Sequence, residues 1–173
     1  SLKRIFGSPD IFKRNDRTPY SNINFITCHD GFTMWDLVSY NNKHNLNNGE
    51  NNQDGENHNN SYNNGAEGET EDKTIIAIRK QQLKNMLLIL FISQGVPMIL
   101  MGDEMGRTQL GNNNAYCQNN RSTWVDWERG NNFSDITEFT KNMIKLRKKY
   151  NIFRNRDYLE LEDNKNKGVG IHG

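Results

Sequence analysis

The stretch that most constrains the chain is 23–31, Ile-Asn-Phe-Ile-Thr-Cys-His-Asp-Gly. An apolar run ends abruptly in a His-Asp pair and a glycine. A buried strand that delivers polar side chains at its tip is how a barrel or an open α/β sheet presents a site. His29 and Asp30 are therefore the first candidates for chemistry, and the rest of the chain is read as scaffold or wall around them. The plainer alternative is a turn that happens to carry two polar residues.

Residues 22–28 are nearly continuous in apolar character, which suits a parallel strand covered on both faces. Ahead of them, Ser8-Pro9-Asp10 and Thr18-Pro19-Tyr20 read as turns. After Gly31, the stretch 32–40 is read as a short helix. Residues 41–69 then lose all periodicity, and Asn, Gly, Glu and His dominate. That is far longer than the usual connection of ~4–6 residues. It fits either a low-complexity insert without fixed structure or a loop packed over the site. Near 70 the helical period returns. Thr70 is placed to cap a helix whose first turn carries Glu71 and Asp72, and Ile75, Ile78 or Arg79, Gln82 or Leu83, Met86, Leu87, Leu90 and Phe91 recur at its spacing as a core stripe. The helix is expected to run from that cap to about Gln94, with Gly95 just past its end.

A second strand is expected over 96–101, with Pro97 at its start, where a missing N–H is tolerated. It too ends in a glycine followed by acids, Gly102-Asp103-Glu104. Two parallel strands joined by a crossover helix place both tips on one face. His29, Asp30, Asp103 and Glu104 are thus expected near one another. Residues 106–126 form another polar loop, with Trp124 and Trp127 at its end. Ser134 is read as the cap of a last helix with a stripe of Ile136, Phe139, Met143, Leu146 and Tyr150. Its cations Lys145, Arg147, Lys148 and Lys149 are read as solvated and favourable to the helix dipole. Residues 151–173 look charged and irregular. Two β/α units do not close a barrel of about 250 residues, so the chain is expected to be cut at both ends.

Composition narrows the chemistry. The chain has 173 residues and a net charge of +1, which argues against a nucleic-acid surface. No apolar run reaches the ~18 residues of a membrane span. Cys28 and Cys117 follow no CxxC spacing, and no secretory signal is visible. A cytoplasmic setting with reduced thiols is expected. The site side of the chain is rich in carboxylates, amides and aromatics. Amides match sugar hydroxyls, Tyr and Trp offer flat faces to a pyranose, and carboxylates stabilise an oxocarbenium-like transition state. Carbohydrate suits this set. The rival is a metal held by residues from His29, Asp30, His44, Asp54 and His58, but these show no fixed ligand spacing.

The phrases His-Asp-Gly-Phe-Thr at 29–33, YNNKHNLNNGENNQDGENHNNS at 40–61, SQGVPMILMGDEMGRTQLGNNNAYCQ at 93–118 and WVDWE at 124–128 carry a family resemblance. They resemble the debranching branch of the α-amylase family of glycoside hydrolases, which comprises isoamylase and bacterial glycogen debranching enzyme. The resemblance covers most of residues 5–150. It implies an α/β fold that is part of a (β/α)8 TIM barrel, its last two β/α units. Residues 1–150 would be the C-terminal portion of the catalytic barrel, and 151–173 would start the connection to a β-sandwich. Residues 22–28 would be the seventh strand, 73–94 the seventh helix, 96–101 the eighth strand and 134–150 the last helix.

The resemblance also implies roles. Asp30 matches the third family carboxylate, which stabilises the transition state. His29 matches a histidine that hydrogen-bonds the same sugar. Asn112, Asn113, Asn114 and Tyr116 match a loop bordering the substrate cleft. Asp103 and Glu104 match a recurring segment that bonds backbone at the barrel rim. The family nucleophile and acid/base belong to the fourth and fifth strands, which would lie upstream of Ser1. A retaining mechanism needs both, about 5–5.5 Å apart, so these 173 residues alone are expected to be inactive. The implied activity is hydrolysis of α-1,6 branches in an α-glucan such as glycogen, amylopectin or limit dextrin. No cofactor, metal, nucleic acid or membrane is implied. A non-catalytic glucan-binding scaffold and an α-glucan transglycosylase are the alternatives.

Overall fold

The computed structural model describes residues 2–158. The expected lead toward a β-sandwich falls outside the described residues from 159 onward. Two short helices open the chain, α1 (Leu2–Ile5) and α2 (Pro9–Phe12). Strand β1 (Ile23–Asn24) follows, then α3 (Met34–Leu37), the long α4 (Lys73–Ile92), β2 (Val96–Pro97), α5 (Arg129–Asn132) and α6 (Ser134–Lys149).

β1 and β2 pair in parallel, Ile23 beside Val96 and Asn24 beside Pro97. The ladder is carried by Val96 N–H to the Asn22 carbonyl and Met98 N–H to the Asn24 carbonyl, both 2.8 Å. The β/α/β unit is therefore present, but each strand is two residues long rather than the six or seven expected. Apolar character ran on past the paired residues because Ile26 and Ile99 pack on the core. The expected cover on both faces is also missing among the described residues, since Ile23 is 58% and Phe25 52% exposed. Gly95 precedes β2 with φ +113°, and a Cβ there would sit 2.5 Å from the Asn22 carbonyl. Only glycine lets the two backbones meet at this point.

The core lies between α4 and α6. Leu83, Leu87 and Phe91 of α4 pack against Ile136 and Met143 of α6, with Met34, Trp35 and Phe133 closing the side. Trp35 meets Phe133 edge-on at 4.8 Å and 87°, a favoured aromatic geometry. α4 starts two residues later than Thr70 would set. Asp72 is its cap, accepting from the N–H groups of Thr74 (2.8 Å) and Ile75 (3.3 Å), and the Thr70 hydroxyl accepts from Asp72 N–H (3.2 Å). α6 has Phe133 at its cap position without a side-chain bond, so Ser134 is its first residue rather than its cap.

Arg147 corrects the reading of the basic cluster. It is buried, and its guanidinium donates to the carbonyls of Phe91 (2.7 Å), Ser93 (2.8 Å) and Gly95 (2.5 Å). A helix end leaves its last carbonyls unpaired, and here one arginine of α6 satisfies those where α4 turns into β2. Gln94 ties the remaining ends together. Its N–H donates to the Ile5 carbonyl (2.7 Å), its side-chain NH2 donates to Ile152, and its amide oxygen accepts from Asn155 N–H (3.1 Å).

Candidate functional site

The turn carrying His29 and Asp30 is held from beneath by a single carboxylate. Asp103, fully buried, accepts from the Thr27 hydroxyl on one side of the turn and from Met34 N–H (2.9 Å) on the other. Burial pushes its pKa up to about 6, against those two hydrogen bonds. Gly31 closes the turn with φ +105°, a backbone state that favours glycine. Its N–H donates to the Asn113 carbonyl (2.9 Å), and the Cys28 thiol lies 3.2 Å from the Asp30 carbonyl.

On this platform the two candidate side chains stand free of the core. His29 is 86% and Asp30 79% exposed, with His29 Nε2 3.3 Å from Asp30 Oδ2. The tips of the two strands thus diverge in role. Asp30 faces solvent, Asp103 is interior, and Glu104 accepts from Gly102 N–H (3.1 Å).

The 41–69 segment is an ordered loop built on amide side chains. Asn45, fully buried, donates to the Asn113 side-chain oxygen (2.8 Å) and accepts from Asn113 N–H (3.0 Å). Asp54 accepts from Asn48 (2.7 Å) and Asn114 (2.9 Å), and these amides hold its pKa below the ordinary carboxylate range. Glu67 accepts from the N–H groups of Asn41 and Asn42, from Asn63 and from His44 Nε2 (3.2 Å). Burial opposes its charge, but these donors outweigh it and hold its pKa at about 2. Buried Arg79 of α4 fastens the loop to the core by donating to the carbonyls of Gly68 (2.7 Å), Asn63 (2.8 Å) and Ala66.

Asp36 of α3 plays the matching part for the second loop. It is fully buried and accepts from the Thr108 hydroxyl (2.5 Å) and Gln109 N–H (2.8 Å). Burial raises its pKa to about 6. Three segments consequently meet in a cleft of about 780 Å³: the turn at Asp30, the loop at Glu56, His58 and Asn59, and Asn113 with Asn114. That volume lies within the ~300–1,000 Å³ of small-molecule sites. Neither Asp103 nor Glu104 lines it.

The residues matched to the cleft-bordering loop divide by burial. Asn112 and Asn113 are buried, and both commit their amides to protein. Asn112 donates to Asn48 (2.8 Å), and Asn113 donates to the Glu56 carbonyl (2.9 Å) and Asn59 (3.0 Å). Asn114 is half-buried at the cleft, and Tyr116 is 77% exposed. Among the described residues no three His, Cys, Asp or Glu side chains converge.

Asp36, Asn45 and Asn48 were not flagged by residue type, Arg79 and Arg147 were read only as helix positions, and Asp103 was flagged at the strand tip but not as a buried clamp. Of the unflagged residues Asp36 alone carried a signal. It lies three residues after Thr33, whose hydroxyl accepts its N–H (3.1 Å), the spacing of an N-terminal capping box.

No protein-family model matches the chain. Individual proteins do. It is 50% identical over 159 residues to the "Glycogen operon protein GlgX homolog" of Mycobacterium tuberculosis, covering 92% of this chain and 22% of that protein. It is 49% identical over 146 residues to the "Glycogen debranching enzyme" of Enterobacter sp., covering 84% and 22%. Among solved structures, pullulanase from Bacillus acidopullulyticus matches with a TM-score of 0.67 and 27% identity, over 90% of this chain and 15% of that one. A pullulanase from Anoxybacillus sp. LM18-11, complexed with maltotetraose, matches with a TM-score of 0.61 and 26% identity, over 89% and 18%. The chain spans about a fifth of the length of the curated relatives it matches. Half-identity across nine-tenths of its residues, on a pullulanase-like fold, places the chain in the α-amylase family, beside relatives that are named glycogen debranching enzyme and GlgX homolog.

Proposed function

We propose that this chain is the Asp30-bearing part of a glycoside hydrolase that opens α-1,6 branch points in glycogen-like glucan with retention at the anomeric carbon. The observation that carries the reading is Asp30 itself. Its carboxylate is exposed at the edge of a cleft and stands beside His29 on a turn clamped by buried Asp103. A carboxylate so placed accepts hydrogen bonds from sugar hydroxyls and stabilises the positive charge of the oxocarbenium-like transition state. His29 bonds the same sugar. Asn113 and Asn114 line the cleft, Asn112 helps fix the loop that carries them, and Tyr116 stands exposed on the same loop.

In this reading 22–28 and 96–101 are the seventh and eighth strand segments of a (β/α)8 barrel, α4 and α6 are the helices that follow them, and 151–173 leads on to a β-sandwich. The nucleophile and the acid/base come from other segments of the whole protein, so the 173 residues by themselves turn over nothing. Two free thiols suit a cytoplasmic enzyme. No helix among the described residues is long and apolar enough to cross a membrane.

The test is product analysis. The full-length protein is incubated with a phosphorylase limit dextrin. Hydrolysis releases short linear malto-oligosaccharides, with one new reducing end per chain released. No release identifies a scaffold, and chain exchange without new reducing ends identifies a transglycosylase. Either result overturns the proposal.

A further inference from the structure

Asn113 joins two walls of the cleft. Its backbone carbonyl accepts from Gly31 N–H (2.9 Å), which ties it to the turn of His29 and Asp30. Its side-chain NH2 donates to the Glu56 carbonyl (2.9 Å) and to the Asn59 side-chain oxygen (3.0 Å) on the 41–69 loop. Asn45 engages what is left, donating to the Asn113 side-chain oxygen (2.8 Å) and accepting from its N–H (3.0 Å). A side-chain amide has two donor hydrogens, and both are committed to protein here. These bonds run between residues of this chain, so they do not depend on what covers its outer surface.

The main chain of the loop presses on the same amide pair. A Cβ at Gly55 would collide with the Asn113 side-chain oxygen and stand 2.7 Å from Asn45 Nδ2. Gly55 lines the cleft and has φ +72°, so glycine alone suits the position. Asn45 grips the next residues as well, donating to the Asp54 carbonyl (3.0 Å) and, through its N–H, to the Asn52 side-chain oxygen (2.7 Å).

We propose that Asn113 is a positioning residue which, with Asn45 and Gly55, sets the gap between the Asp30 turn and the loop wall at 55–59, and so decides how tightly the cleft holds a glucan chain. No donor of its side chain is left for sugar; what it places is the wall. Its bonds are of two kinds, and that fixes the expected kinetics. The bond to the turn is main chain to main chain and survives any change of side chain, and Asp103 holds the turn independently. The bonds to the loop come from the side chain. Substitution therefore releases the wall and leaves Asp30 in place, which removes binding common to the ground and transition states and raises KM more than it lowers kcat. The inference rests on the α-glucan reading above.

The test uses the full-length protein with Asn113→Asp, Gly55→Ala and both changes together. The aspartate keeps an oxygen for Asn45 but sets its other oxygen against the Glu56 and Asn59 acceptors. KM for a branched α-glucan and Kd for maltotetraose, measured by calorimetry, are each expected to rise about tenfold in either single variant, with kcat falling far less. The double variant is expected to lose no more than the weaker-binding single variant, because both changes act on one contact. A change confined to Tm, with KM and Kd unmoved, overturns the proposal, and so does a loss confined to kcat or an additive loss in the double variant. If Asn113→Asp fails to fold, Gly55→Ala carries the test alone. If the unaltered protein cleaves no branch, the hydrolase reading fails, and the Kd values still decide this one.

Discussion

Two carboxylates sit in the interior where their burial is costly. The Asp36 carboxyl is driven by burial to a pKa of about 6, despite bonds from Thr108, Gln109 and Thr33, and Asp103 is driven to the same value. A folded pKa raised above the unfolded value of about 3.9 means the native state holds the proton more tightly. Their contribution to stability is then complete below about pH 4 and is lost as pH rises through 6, on the order of 3 kcal/mol each. Glu67 has the opposite sign. Its folded pKa of about 2 gives stability present above about pH 4.5 and lost as pH falls through 2. Between pH 4 and 7 the aspartates dominate among these three. In Asp36→Asn the fall in Tm across that interval should be visibly smaller than in the unaltered protein. Thermal melts at half-unit steps check this, and an unchanged slope contradicts it. Asp36 drew no notice in the sequence, and Asp103 was expected at the strand tip beside Asp30 rather than beneath it. Asp103 and Asp30 both follow an apolar run near a glycine, and only the partners Thr27 and Met34 send one inward while the other stays wet.

At the scale of elements, the long helix was legible because its apolar stripe is read from one segment alone. What depends on two distant segments was not. The ladder partners of β1 and β2 are more than seventy residues apart, and periodicity could not show that pairing stops after two residues. The asparagine-rich loop looked structureless because its order comes from outside it, from Asn113, 68 residues from Asn45, and from Arg79 of α4, 11 residues from Gly68. Arg147 looked like one of four solvated cations, yet it serves the carbonyls that end α4. Arg147→Met should therefore destabilise the protein by about 3 kcal/mol or more, since three buried acceptors lose a charged donor. Arg147→Lys should recover only part of that, because an ammonium lacks the planar fork. Denaturant titration measures both. A loss under about 1 kcal/mol for the methionine variant would show that water replaces the guanidinium.

At the scale of the whole molecule, the described residues leave Leu2, Ile23, Phe25 and Ile89 exposed around an apolar groove of about 710 Å³. Contiguous apolar surface beside a short open strand pair invites association. The 173-residue chain on its own is expected to bind a hydrophobic dye and elute as aggregates, and the full-length protein to do neither. A soluble monomer with a sharp cooperative melt would contradict that. Asp30 carries the proposed activity, its carboxylate exposed beside His29 at the edge of the cleft. The most direct measurement is therefore kcat of the full-length Asp30→Asn variant on a branched α-glucan, taken beside its melting temperature. A loss of roughly 10²–10³-fold or more with Tm unchanged is predicted, and near-normal turnover would contradict the role assigned to this residue.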